Sequence, residues 1–152
     1  MKNFKILAVA LLSLMVLCGC EPNNNGNKQT SAVVGEWHIE SWDNAAPAFD
    51  VYLTFAEDGT FAIYQQIYTL NYEYYEGIYT YHPDTFLSGV YADGTPWECT
   101  YKVSVSEDGS QLTLESVETV AITSVYFKEA VPEKIKAEAT ATRAANVAEP
   151  LL

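Results

Sequence analysis

Positive charge is what this chain lacks most. Its 152 residues carry 8 Lys plus Arg against 20 Asp plus Glu, a formal net charge of −12, which argues against a nucleic-acid reader with its basic surface. Histidine is scarcer still, at two. Neither His38 nor His82 has a Cys, Asp or Ser partner at motif spacing, so no catalytic constellation emerges and the chain reads as a non-enzyme without a cofactor. Glu36, His38 and Glu40 share one strand face at two-residue steps. Two carboxylates and one imidazole on an exposed face read as solvated groups, so no metal site is expected. Long hydrophobic runs are also missing. The run from Ile6 to Leu17 has 12 residues, with Ser13 its sole polar member, short of the roughly 20 that a membrane-spanning helix needs. Core-forming residues are plentiful, with 49% hydrophobic and 13% aromatic. That composition excludes a disordered acidic chain and suits one modest domain.

Lys2 and Lys5 precede the short apolar run, which is the layout of a secretory signal. Leu17-Cys18-Gly19-Cys20 follows, and it resembles the lipobox of bacterial lipoproteins. The resemblance implies a signal peptide over 1–19, cleavage before Cys20, and a diacylglycerol with palmitate-type chains on the Cys20 thiol. It also implies a membrane anchor in the bacterial cell envelope, expected at the outer membrane on its periplasmic or surface face. Each buried methylene of such chains contributes about 0.8 kcal/mol. Loss of residues 1–19 leaves 6 basic against 20 acidic groups, a net of −14. Cys99 is then the one free thiol, and no intramolecular disulfide is expected. Its alternation with Trp97, Tyr101 and Val103 predicts a buried, inert side chain.

Residues 20–32 read as a lipid-anchored flexible tether, because the stretch after Cys20 contains no large apolar side chain. From 33 to 128 the texture changes to short alternating runs separated by turn signals, the pattern of an all-β domain. Eight runs are expected, near 34–42, 50–56, 60–67, 73–82, 85–91, 96–105, 110–116 and 119–128. In the sixth, Trp97, Cys99, Tyr101, Val103 and Val105 share one face, as a half-buried strand requires. Asp58-Gly59 and Asp108-Gly109 supply the positive φ of tight hairpins, and His82-Pro83-Asp84 is similarly short. Joins after runs two, four and six are therefore tight, whereas those after one, three and five are looser and apolar. In an up-and-down meander the two sets lie at opposite ends, which predicts a cup whose mouth is rimmed by Trp42, Pro47, Phe49, Tyr68, Leu70, Tyr72, Pro96 and Trp97. Eight antiparallel strands of this kind can close into a barrel able to hold one small ligand.

Gly35 and Trp37, opening the first strand, match the G-x-W signature, and the whole run to Lys128 resembles the lipocalin (calycin) barrels and the lipocalin-like lipoproteins of Gram-negative envelopes. The resemblance implies that Gly35 lets the chain enter the barrel, that Trp37 plugs its closed end, and that Lys128 stacks on the indole. After Val131-Pro132, the remainder of the tail over 129–152 suits either a short helix or a frayed segment.

Seven of the eleven tyrosines, Tyr64 to Tyr81, fall within eighteen residues. They read either as β-formers packing the barrel or, with Trp42, Phe49 and Trp97, as an amphipathic rim in which Tyr68, Tyr72 and Tyr74 touch a ligand. The expected function is a monomeric, lipid-anchored envelope protein that holds a small amphipathic or hydrophobic ligand in a β-barrel cup. The alternatives are an acidic module that binds or inhibits a cationic protein, and a glycan-binding surface, each without a small-molecule cavity.

Overall fold

The computed structural model describes residues 32–82, 86–141 and 150–152. The signal segment, Cys20, all but the last tether residue, and residues 142–149 lie outside the described residues.

Eight strands form a closed antiparallel barrel: β1 (Gly35–Trp42), β2 (Asp50–Phe55), β3 (Thr60–Gln66), β4 (Glu73–His82), β5 (Phe86–Tyr91), β6 (Tyr101–Val105), β7 (Gln111–Ser116) and β8 (Thr123–Lys128). Each pairs with its neighbour in sequence, and β1 pairs with β8 to complete the ring. Two-residue alternation sends Val51, Leu53, Phe55, Phe61, Ile63, Leu112 and Leu114 inward, where all are buried, and turns Thr54, Tyr64 and Thr113 outward. Full burial of each large aliphatic contributes about 1.5–3 kcal/mol, and closure gives every barrel strand a neighbour on both sides.

Two strands are shorter than their alternation suggests. The sixth begins at Tyr101 instead of 96, because Pro96 bridges back to Val90 and the Trp97 N–H donates to the Gly89 carbonyl at 3.0 Å. The eighth begins at Thr123 instead of 119, leaving 117–122 as a loop. The join after β1 spans 43–49, the long connection expected, and opens with a turn. Asp43 and Asn44 both have positive φ, 49° and 62°, and Trp42 and Ala45 exchange backbone hydrogen bonds across them. That two-residue turn starts the join, and the chain then runs on through Pro47 to β2.

A bulge in β1 sets the direction of one aromatic. Strict alternation from Trp37 and Ile39 would turn Ser41 inward and Trp42 outward. The β1–β8 register shifts between Ile39 and Ser41, so Trp42 pairs with Ser124, which is buried on the inner face. The extra residue, Glu40, stays exposed, and the bulge re-aims everything after it.

The tail carries a short helix, one of the two forms its sequence suits, and its described residues make further contacts with the barrel. After β8 the Val131 N–H donates to Glu36 Oε2 at 2.6 Å, and α1 (Glu133–Glu138) lies on the outer face, its Lys136 3.2 Å from Glu36 Oε1. A two-residue β9 (Thr140–Ala141) then pairs in parallel with Glu73 and Tyr74 of β4. That edge of β4 is open because β5 pairs only from Gly77 onward. Residues 150–152 return to the barrel, with Leu151 and Leu152 buried in the core.

Candidate functional site

The two ends of the barrel differ. At one end Gly35 has φ +151°, a conformation that side-chain-bearing residues rarely adopt. A Cβ there would also stand 3.2 Å from Lys128 Cε. The room this leaves admits Lys128 Nζ to 5.4 Å from the Trp37 ring centroid. Trp37 is fully buried, and its indole N–H donates to the Val33 carbonyl at 2.8 Å. Gly35, Trp37 and Lys128 therefore meet at one end and fill it.

The opposite end holds a cavity of about 370 Å³. Trp42, Phe49, Ile67 and Tyr68 form its apolar wall, and Cys99, Tyr101 and Ser116 line it as well. Trp42 packs edge-on against Phe49, ring centroids 5.6 Å apart. The loops around it carry exposed apolar side chains, Tyr68 and Leu70 on one and Val117, Val120 and Ile122 on another. Leu70 is 93% exposed, so this lip is an apolar surface facing solvent.

Of the residues expected at the mouth, Trp42, Phe49 and Tyr68 line the cavity, and Pro47 and Leu70 lie beside Phe49 and Tyr68; Tyr72, Tyr74 and Trp97 do not. Trp97 is 5% exposed and lies in the core, edge-on to Phe61 and Tyr101 at 5.0 and 6.1 Å. It fits because position 89 is glycine: a Cβ at Gly89 would fall 2.4 Å from the indole. Tyr72 and Tyr74 point outward. The Tyr72 hydroxyl donates to Asp50 and that of Tyr74 to Glu76, and burial followed by those bonds raises both phenols above their ordinary 10.

Below the mouth cavity the interior is polar in a way its strand pattern only hints at. Gln65 follows Phe61 and Ile63 on the inner face of β3 and is fully buried. Its Oε1 accepts from the Leu151 N–H at 3.2 Å, while its Nε2 has no partner among the described residues. The buried Trp97 Nε1 has none either. Tyr91 donates to the Leu152 carbonyl at 2.5 Å and Tyr101 to that of Leu151 at 3.4 Å. Burial raises both phenols, which keeps them neutral donors; at Tyr101 a hydrogen bond with Cys99 adds to the effect. Burial likewise raises the half-buried Cys99 thiol, which lowers its thiolate fraction and its reactivity. Gln65, Tyr91, Leu151 and Leu152 were not expected at the site. A polar residue at an inward position of β3, and two large aliphatics after an alanine-rich stretch, are the signals in sequence that point to them.

His38 is not simply solvated. On the outer face it stacks on Tyr52 with ring centroids 4.2 Å apart, its Nε2 2.6 Å from Asp50 Oδ1 and its Nδ1 2.8 Å from Glu129 Oε2. Each nitrogen faces a carboxylate, so both bonds form together only when the ring carries two protons. Glu36 and Glu40 are engaged elsewhere, with Val131 and Lys136 and with Gln111. Among the described residues no three His, Cys, Asp or Glu side chains are grouped to hold a metal ion.

Fold and site together define an all-β barrel plugged at one end and open at the other. No protein-family model and no curated protein sequence matches the chain. It is similar to a solved structure of an uncharacterized protein from Bacteroides eggerthii, with a TM-score of 0.47 and 18% identity over 63% of this chain and 98% of that one.

Proposed function

We propose that this is a lipocalin-like, lipid-anchored protein of the bacterial cell envelope that binds a small amphipathic or hydrophobic ligand and catalyses no reaction. The observation that carries the reading is the mouth cavity of about 370 Å³, where Trp42, Phe49, Ile67 and Tyr68 meet the polar side chains of Glu98, Ser116 and Glu118 above buried hydrogen-bonding groups. Its volume falls in the range of roughly 300–1,000 Å³ typical of small-molecule sites. The anchor rests on the sequence alone, through Cys20. The tether joins the barrel at Val33, beside Trp37 and the closed end, so the mouth is directed away from the membrane.

Native mass spectrometry of the processed protein from membranes tests the cup. A co-purified small molecule that is lost from a Trp42→Ala, Phe49→Ala variant supports it. A ligand-free mass, together with no binding of any member of an amphiphile panel, would overturn it. Metabolic labelling with an alkyne palmitate analogue tests the anchor. Label is expected on the wild-type protein and absent from Cys20→Ala; continued labelling of that variant refutes the lipid site.

The barrel's 15 acidic against 2 basic residues over 33–128 support a second reading, docking of a cationic protein beside the exposed lip. Capture of a basic protein that weakens with salt and with Leu70→Ser favours that reading.

A further inference from the structure

We propose that Leu151 and Leu152 stand in for the ligand: the interior recognises an aliphatic chain bearing a carbonyl oxygen, and residues 150–152 occupy that place until a ligand displaces them. The inference rests on the cup reading above and names the ligand's chemistry and the control of its entry.

The donors at the site make the first part of the argument. A barrel interior of this size can be filled with aliphatic and aromatic side chains alone. Here the hydroxyls of Tyr91 and Tyr101 and the amide of Gln65 meet the backbone of Leu151 and Leu152, and Trp97 packs edge-on to Tyr101. Two of those donors are spent on the carbonyls of Leu151 and Leu152. The other two, Gln65 Nε2 and Trp97 Nε1, have no partner among the described residues, although Gln65 is 0% and Trp97 5% exposed. Buried donors are almost always paired in proteins, and an unpaired one asks for an explanation. The peptide in the site offers too few acceptors for the donors around it. A molecule with a further acceptor oxygen beside Gln65 would serve its Nε2 as well.

The apolar part follows from the same occupant. Leu152 is 1% exposed and Leu151 9%, so the space beside the donors accepts branched aliphatic groups. Pro150 and Leu151 also line the mouth cavity, next to Trp42 and Phe49. Tyr101 lines that cavity as well, whereas Gln65, Tyr91 and Trp97 do not. A chain entering from the mouth reaches Tyr91 only by moving Leu152. A fatty acid and an acyl amide share the recognised chemistry, an aliphatic chain with a carbonyl oxygen.

The test uses the full chain and a Leu151→Ser, Leu152→Ser variant, with octanoate, octanamide and 1-octanol as probes in calorimetric titrations. If the plug is seated in at least about nine-tenths of molecules, apparent affinity in the wild type is lowered at least about tenfold. Octanoate, octanamide or both are expected to bind the variant tighter by that factor, and 1-octanol more weakly than whichever carbonyl probe binds. Equal affinity of wild type and variant would overturn the plug. Octanol binding as tightly as the carbonyl probes would overturn carbonyl recognition. Either result leaves the cup reading standing, whereas no binding of any probe to either protein overturns both. Methyl spectra of leucine-labelled wild type give an independent reading that does not depend on the variant folding. At saturation the Leu152 methyl signals should shift as the side chain leaves the core in which it is buried, and unchanged signals refute displacement.

Discussion

Gly89→Ala puts one methyl group where the indole of Trp97 lies. A Cβ there would stand 2.4, 2.6 and 2.8 Å from Cε2, Cζ2 and Nε1 of that ring, whereas carbon atoms in contact prefer about 3.5–4.0 Å. The rigid ring must move by roughly 1 Å, the gap between those two distances. It has little freedom to do so, because Phe61 and Tyr101 hold it edge-on at centroid distances of 5.0 and 6.1 Å. Its backbone N–H is also tied to the carbonyl of Gly89 itself at 3.0 Å. Overpacking of this kind costs about 1–3 kcal/mol, and losing the Trp97 backbone bond adds about 0.5–1.5 kcal/mol. The expected destabilisation is therefore about 1.5–4.5 kcal/mol, the sum of those two ranges. Urea unfolding followed by far-ultraviolet circular dichroism measures it, and indole emission reports whether the ring has moved. Gly109→Ala is the control. It has open space within 4 Å but a φ of +70°, so it should lose only the roughly 1–2 kcal/mol of a left-handed backbone. If Gly89→Ala matches the wild type within about 0.5 kcal/mol, the size of an ordinary surface substitution, Trp97 does not pack on Gly89 and the account of the interior fails.

The phenols of Tyr91, Tyr101 and Tyr126 are raised above their ordinary 10 chiefly by burial. The unfolded chain then releases protons that the folded chain retains, so stability is full below pH 10 and falls as pH rises beyond it. Ultraviolet titration should find these tyrosines ionising only with unfolding; reversible ionisation of all eleven tyrosines with the barrel intact would contradict their burial. Hydrogen bonds from Ser106 and Ser110 hold the Asp108 carboxyl down at about 2 from its ordinary 3.8. Its contribution is present above 3.8 and is lost as pH falls toward 2. The urea midpoint difference between wild type and Asp108→Ala should shrink over that window, and a difference constant with pH counts against the turn geometry. Lys128→Met removes the cation over Trp37 and should cost about 0.5–1 kcal/mol, the value of an exposed cation–π contact. Lys128→Arg should retain most of that stability, and a Met variant as stable as wild type would show the contact to be idle.

The strands were legible because each is half-buried and turns its apolar side chains inward at a period of two. β4 runs over Glu73–His82, the range its alternation gives. Alternation reports burial and not pairing, however. Trp97 and Cys99 keep the period of β6 while lying outside it, since Pro96 pairs with Val90 and folds the chain back. Trp42 reaches the mouth by a register shift at Glu40 that no residue type announces. His38 finds its two carboxylates at separations of 12 and 91 residues, which only the closed ring brings together. Tyr72 and Tyr74 sit close to the mouth in sequence, yet they turn to the outer face because Tyr75 of β4 takes the inner one. At the site, the apolar wall was visible as aromatic residues in loose joins. The donors were not, because Gln65 and Tyr91 lie in separate strands and meet only through Leu151 and Leu152.

The outer strap and the inner plug belong to one continuous segment, and this sets the terms on which any ligand competes. Glu129 holds His38, Val131 and Lys136 hold Glu36, and β9 is paired to β4 at Glu73 and Tyr74. Eight residues, 142–149, separate the last of these contacts from Pro150. A binding segment tethered over so short a connection acts at an effective concentration on the order of 1 mM. A free ligand present at about 1 μM must therefore bind about a thousand-fold more tightly than the Leu151-Leu152 segment to occupy half of the molecules. Gln65 Nε2 supplies a physical route to such a preference, since a hydrogen bond it gains from a ligand is one the segment does not make. Loosening the strap acts in the opposite direction. Glu36→Gln weakens its pairing with Lys136 and the charge behind the Val131 bond, so it should lower the effective concentration of the plug and raise apparent affinity for an acyl probe. Its substitution lies on the outer wall, away from the mouth. A Glu36→Gln variant with unchanged probe affinity would mean that the strap does not hold the plug in place.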